Sequence, residues 1–247
     1  MLRPMLRPAI ALFAFFALPA VAGAGLLERL SAAAPDADPK VLALALQART
    51  CAMATEGAAT ASRLAVIDYS RPSTQTRLWV FDLKRQALLF AEVVAHGKGS
   101  GENVPTAFSN RDGSHQSSLG LFRTAETYVG GNGYSMRMDG LEPGVNDAAR
   151  DRLIVMHGAP YVDPLAALKQ GRLGRSQGCP AVRPAVAREL IDTLKQGQLL
   201  FAYYPDPAWL KESSLLGCQG KAAVATSPQG GDGSGGRATL GTRSGPG

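Results

Sequence analysis

The stretch Gly174, Arg175, Ser176, Gln177, Gly178, Cys179, Pro180 is the part of the chain best suited to chemistry. Two glycines flank a polar run that ends in a thiol, so the backbone can turn sharply and present its amides beside the sulfur. The same spacing also fits a half-buried cysteine in an ordinary glycine-rich turn. A cysteine nucleophile needs a base for its proton and an acid for the leaving amine, and His157 is the natural partner. It follows the compact apolar run Leu153, Ile154, Val155, Met156 and precedes Gly158 and Pro160, so it stands at the exit of a strand. A histidine that only satisfies its hydrogen bonds at a strand end would look the same. His96 and His115 lie in glycine- and serine-rich segments. With His157 and Cys179 they would make a four-ligand zinc set, but no two of these residues stand at metal-binding spacing, so neither metal nor cofactor is expected.

The elements that must position these groups can be read along the chain. With 247 residues, 45% of them hydrophobic and 19% charged, it is too long and too apolar for a disordered tail or a disulfide miniprotein. Residues 1–22 place Arg3 and Arg7 before an apolar run from Ala9 to Leu18, then the small residues Ala20 and Ala22; this is the layout of a secretory signal peptide cut after Ala22. The run is about half the roughly 20 residues a spanning helix needs, so no stable membrane anchor is expected and the predicted location is the periplasm or cell envelope. Three cysteines is an odd count for an exported chain. Cys51 and Cys218 can pair in an oxidising compartment, tying the ends of the folded unit and leaving Cys179 free; two unpaired thiols is the alternative.

Residues 23–62 read as helical, with Asp38 and Pro39 as a helix start. From Arg63 the pattern changes to short β-type runs, with Lys84, Arg85 and Gln86 as a hairpin loop. Gly97 to Gly144 suggests short strands joined by long loops. Pro184 to Lys195 forms an amphipathic helix, and Leu199 to Tyr204 a last strand. Residues 219–247 are predicted to be a Gly/Ser-rich disordered tail. The fold class expected is mainly β with flanking helices (α+β), with the catalytic unit over 63–210. The formal charge of +6 falls to +4 without Arg3 and Arg7, and Lys221, Arg237 and Arg243 against Asp232 hold a further +2 in the tail; nucleic acid is not indicated.

Taken together, His157-Gly158, a gap of 17 residues and Ser176-Gln177-Gly178-Cys179 resemble the signature of the YkuD-like L,D-transpeptidase catalytic domain. The blocks His96 to Gly101, Phe108 to Asn110, Ser117 to Leu121, Gly140 to Asn146 and Ile154 to Tyr161 are similar to its murein L,D-transpeptidase branch, over roughly 63–205. The resemblance implies a β-sandwich or barrel-like domain acting on peptidoglycan stem peptides. Cys179 would attack the carbonyl of the third stem residue, release the terminal D-alanine and form a thioester. An acceptor amine would resolve it into a crosslink between two third-position residues. His157 would be base and acid, amides around Gly178 and Cys179 would form the oxyanion hole, and the main-chain carbonyl of Gly158 or its neighbour would orient the histidine.

The chain departs from that pattern where Gln177 replaces a histidine and Ala181 an arginine. Arg175 and Arg183 are the nearest arginines and are expected to bind a stem carboxylate or hold the thiolate, with Ser176, Gln177 and Tyr134 as further substrate contacts. Hydrolysis of the same stem, as a carboxypeptidase or endopeptidase, is the alternative activity. A noncatalytic envelope-binding module is a third reading, and the two departures motivate it.

Overall fold

The computed structural model describes residues 25–55 and 61–218. The predicted signal peptide and the predicted tail lie outside the described residues. Two helices come first among the described residues, α1 (Leu26–Ala33) and α2 (Pro39–Thr55). The Asp38 carboxylate accepts the Lys40 amide at 2.8 Å and Pro39 fills the first turn, as a capped start requires. Leu30, Val41, Leu42, Ala45, Ala48, Cys51 and Ala52 are buried in the same core as the sheet that follows. The helical segment and the β region are therefore one packing unit.

Eight strands form a single sheet in the order β3-β2-β1-β8-β4-β5-β6-β7. They are β1 (Arg63–Asp68), β2 (Leu78–Asp82), β3 (Ala87–Glu92), β4 (Gly120–Gly130), β5 (Gly133–Gly140), β6 (Val155–Gly158), β7 (Ala181–Val182) and β8 (Leu199–Tyr203). The β1–β8 and β6–β7 pairs are parallel and the others antiparallel. Beyond β3 the chain turns back: Ala95 bridges to Ala181 and Gly97 to Ser176, so the two ends of the sheet approach each other in a nearly closed barrel. The fold is mainly β with flanking helices, as expected. Helices α3 (Pro164–Gln170), α4 (Pro184–Leu194) and α5 (Pro207–Glu212) complete it, and α4 buries Ala187, Leu190, Ile191 and Leu194 against β1, β5 and β6.

The Lys84–Gln86 loop joins β2 to β3 as expected, with the Asp82 carboxylate accepting the Lys84 and Arg85 amides at 3.0 Å each. The expectation of short strands and long loops between Gly97 and Gly144 is corrected. β4 has 11 residues and β5 has 8, joined only by Gly131 and Asn132 because Gly130 pairs with Gly133. Two-residue turns of this kind favour glycine and asparagine, so Gly130-Gly131-Asn132-Gly133 is a hairpin signal inside a stretch that otherwise reads as loop. Leu199–Tyr203 is last in sequence but central in space, between β1 and β4. Cys51 and Cys218 are disulfide-bonded with Cα atoms 5.9 Å apart, and Cys179 is the free cysteine among the described residues.

Candidate active site

β6 and β7 set the geometry. His157 pairs with Ala181 and Gly158 with Val182, a constant separation of 24. Extending that register back by two residues puts Cys179 level with Val155, and the Val155 amide donates to the Cys179 sulfur at 3.4 Å. Strands rise about 3.3 Å per residue and alternate residues share a face, so Val155, the residue that meets the Cys179 sulfur, and His157 lie on one face of β6 about 7 Å apart along the strand. One residue of β6, Met156, thus separates His157 from the level of the thiol.

The turn that carries the thiol is held from inside. The Ser176 hydroxyl donates to the Cys179 carbonyl at 2.6 Å and accepts the Gly178 amide at 3.1 Å. Ser117 donates to the Gly178 carbonyl at 2.9 Å and accepts the Gly97 amide at 3.0 Å. Gly178 has φ +122°, and a Cβ there would lie 2.8 Å from Ile154 Cδ1, so only glycine fits. These contacts correct one expectation: the Gly178 N–H is spent on Ser176, so Gly178 shapes the turn rather than facing an oxyanion. Ser176 likewise is an internal staple, not a substrate contact.

His157 is buried, with Nδ1 3.1 Å from the Gly158 carbonyl and its ring edge-on to Tyr161 at 6.5 Å. The contact requires a proton on Nδ1, which leaves Nε2 as the basic nitrogen. Burial pushes the imidazole pKa down, and the Gly158 carbonyl opposes that shift. Cys179 is 8% exposed. Burial pushes its thiol up, while the Val155 amide and the Arg152 charge pull it back. Thiol and imidazole are therefore both favoured in their neutral forms. The sulfur also lies 3.6 Å from the carbonyl of Leu153, an exposed leucine at φ +57°. A non-glycine residue held in that region beside a thiol is local strain at the site.

Cys179 opens onto a cleft of about 280 Å³ whose other walls include Asp112, His115, Asn132, Arg152, Leu153 and Gln177. Of the predicted substrate contacts, Gln177 lines it. Arg175 does not: it donates to the Gly101 carbonyl at 2.8 Å and pairs with Glu102 at 2.7 Å. Arg183 grips Glu92 with two bonds of 2.8 and 2.7 Å. Tyr134 donates to Asp192 at 2.7 Å, with the Arg188 guanidinium 4.5 Å from its ring centroid, and packs on α4. Each of these three satisfies a carboxylate that sequence spacing cannot assign. The arginine that reaches the cleft is Arg152, just before β6, a position that no spacing or motif in the sequence marks.

Of the other histidines, His96 is buried with Nδ1 2.7 Å from Arg77 and Nε2 3.3 Å from the Gly101 carbonyl. Burial and the Arg77 charge push its pKa down to about 4. His115 lines the Cys179 cleft. Among the described residues, no three His, Cys, Asp or Glu side chains are grouped to hold a metal ion, and no helix is long and apolar enough to cross a membrane.

Residues 33–203 match the family model of the L,D-transpeptidase catalytic domain, well over half of the chain. The chain belongs to that family. The family model spans α2 as well as the sheet, in keeping with their shared core. Among solved structures, the L,D-transpeptidase from Mycobacterium smegmatis is 16% identical with a TM-score of 0.35, covering 58% of this chain and 59% of its own. That from Xylanimonas cellulosilytica is 17% identical, TM-score 0.35, over 58% and 61%. Bd1075 of Bdellovibrio bacteriovorus is 18% identical, TM-score 0.38, over 60% and 50%. The matches thus span half to three fifths of these relatives' own chains. No curated protein shows a significant match to this sequence.

Proposed function

We propose that this protein is a peptidoglycan L,D-transpeptidase with Cys179 as nucleophile and His157 as general base and acid. One observation carries the reading: the β6–β7 register that sets the Cys179 sulfur against the Val155 amide also puts a histidine, with Nδ1 tied to a carbonyl, two residues further along the same strand. The neutral pair at rest then works by proton transfer in step with attack. His157 Nε2 takes the thiol proton as the sulfur adds to the carbonyl of the third stem residue. The tetrahedral oxyanion is met by the main-chain amide of Cys179, the residue that bears the reacting sulfur. Collapse breaks the bond to the terminal D-alanine, whose nitrogen receives the proton from the imidazolium. The resulting thioester is attacked by an acceptor amine, His157 removes the surplus proton, and the thiol is restored as the 3-3 crosslink leaves.

The substrate places the enzyme in the cell envelope, which agrees with the exported chain expected from residues 1–22. The test is incubation of the mature protein with purified tetrapeptide muropeptides, read by mass spectrometry. Loss of D-alanine with a new dimer is expected, abolished in Cys179→Ala. No product from the wild type, or undiminished product from the variant, refutes the reading; monomer loss of D-alanine without dimers assigns hydrolysis instead.

A further inference from the structure

Arg152 differs from the other arginines around the catalytic turn. Arg172 and Arg175 share Glu102, and Arg183 holds Glu92. Two residues before Arg152, Arg150 pairs with both Glu126 and Asp139. Arg152 has no carboxylate within ion-pair distance among the described residues. Its guanidinium is half-buried and meets four neutral acceptors, all between Ser109 and Ser118. Nη1 donates to the Ser109 carbonyl and the Ser118 hydroxyl at 2.6 Å each. Nη2 donates to the Ser114 hydroxyl at 3.2 Å and the Gln116 carbonyl at 2.8 Å. Asp112 and His115 of this loop, Arg152 and Cys179 all line one cleft.

We infer that Arg152 is a positioning residue for the nucleophile: it clasps the 109–118 wall of the cleft and keeps its positive charge out of any direct ion pair beside the Cys179 sulfur. A neutral clasp would hold the loop as well, and a paired arginine would carry no net field; the unpaired guanidinium does both. Its charge favours the thiolate and the anionic tetrahedral state over the thiol. The other groups around the sulfur are Asp112 and His115 from the loop, His157 on β6, Tyr161 after β6 and Tyr69 after β1. Both tyrosines are pushed up to about 12 by burial, with a smaller contribution from Cys179. Asp112 is thus the one carboxylate among them, and it opposes Arg152.

The inference rests on Cys179 as the reacting group, but its test needs no wall substrate, so it is distinguishable from failure of the crosslinking assay. With Cys51 and Cys218 oxidised, iodoacetamide alkylation against pH reads Cys179 alone. Arg152→Gln is expected to raise the alkylation midpoint by about half to one pH unit, which slows alkylation at a fixed pH below the midpoint about three- to tenfold. Arg152→Lys keeps the charge and is expected to hold the midpoint near wild type, whatever it does to melting temperature. Asp112→Asn, at an exposed position, should lower the midpoint. A folded Arg152→Gln with the wild-type profile, equal shifts in the Lys and Gln variants, or an unmoved midpoint in Asp112→Asn would each overturn the inference.

Discussion

The Cys51–Cys218 bond closes a loop of 167 residues around nearly the whole described chain, and removing it should be felt chiefly in the denatured state. On the chain-entropy relation a loop of this length is worth about 5 kcal/mol, and measured disulfides commonly deliver about 2–5 kcal/mol. Cys51 is fully buried, so truncation to alanine adds a cavity cost of about 1 kcal/mol, while serine would bury a hydroxyl as well. The double variant Cys51→Ala/Cys218→Ala, made in a Cys179→Ala background to prevent thiol exchange, should therefore lose about 3–6 kcal/mol. With a urea m-value near 2 kcal/mol/M, the midpoint falls by about 1.5–3 M. Trp79 and Trp209 are both buried and report unfolding by fluorescence. Reduction of the Cys179→Ala protein should reproduce the shift. A midpoint change below about 0.5 M, with unchanged m, would show that the bond does not constrain the ensemble and that the entropic reasoning fails here.

Three further outcomes follow from the site. Burial lowers the His157 pKa and raises that of Cys179, so kcat/KM should reach its plateau below the ordinary histidine value of about 6.5 and hold it beyond the ordinary cysteine value of about 8.5; an acid limb above pH 7 or a basic limb below pH 8, on the same scale, contradicts it. Gly97→Ala would drive a Cβ into the His115 carbonyl and to 2.8 Å from Gly178 Cα, forcing the His115 loop and the Cys179 turn to move. It should cost about 1–3 kcal/mol and at least about tenfold in Cys179 alkylation with the circular dichroism spectrum retained, and wild-type alkylation refutes the contact. Arg183→Ala removes a partly exposed ion pair with Glu92, so stability should fall by about 1 kcal/mol or less and kcat/KM by less than about twofold; a large rise in KM would return Arg183 to the substrate.

Much of this was legible in local sequence because its causes are local. The cap at Asp38, the turn at Lys84 to Gln86 and the amphipathic α4 depend on neighbours a few residues apart, and each appears where its residues predict. The residues proposed as nucleophile and base stand out by residue type and flanking glycines. The long β4–β5 hairpin was hidden because its two-residue turn is embedded in a glycine-rich stretch.

What only the tertiary structure decided is how partners are allocated between distant parts of the chain. Whether Arg183 meets a stem carboxylate or Glu92, 91 positions away, depends on where β3 ends. Whether the Gly178 amide faces an oxyanion depends on the rotamer of Ser176, and whether Arg152 meets a carboxylate or the neutral acceptors of Ser109 to Ser118 depends on how that loop folds over it. The sequence by itself determined which side chains are able to react; strand register and competition for charge, both products of non-local packing, decided which of them share a cleft.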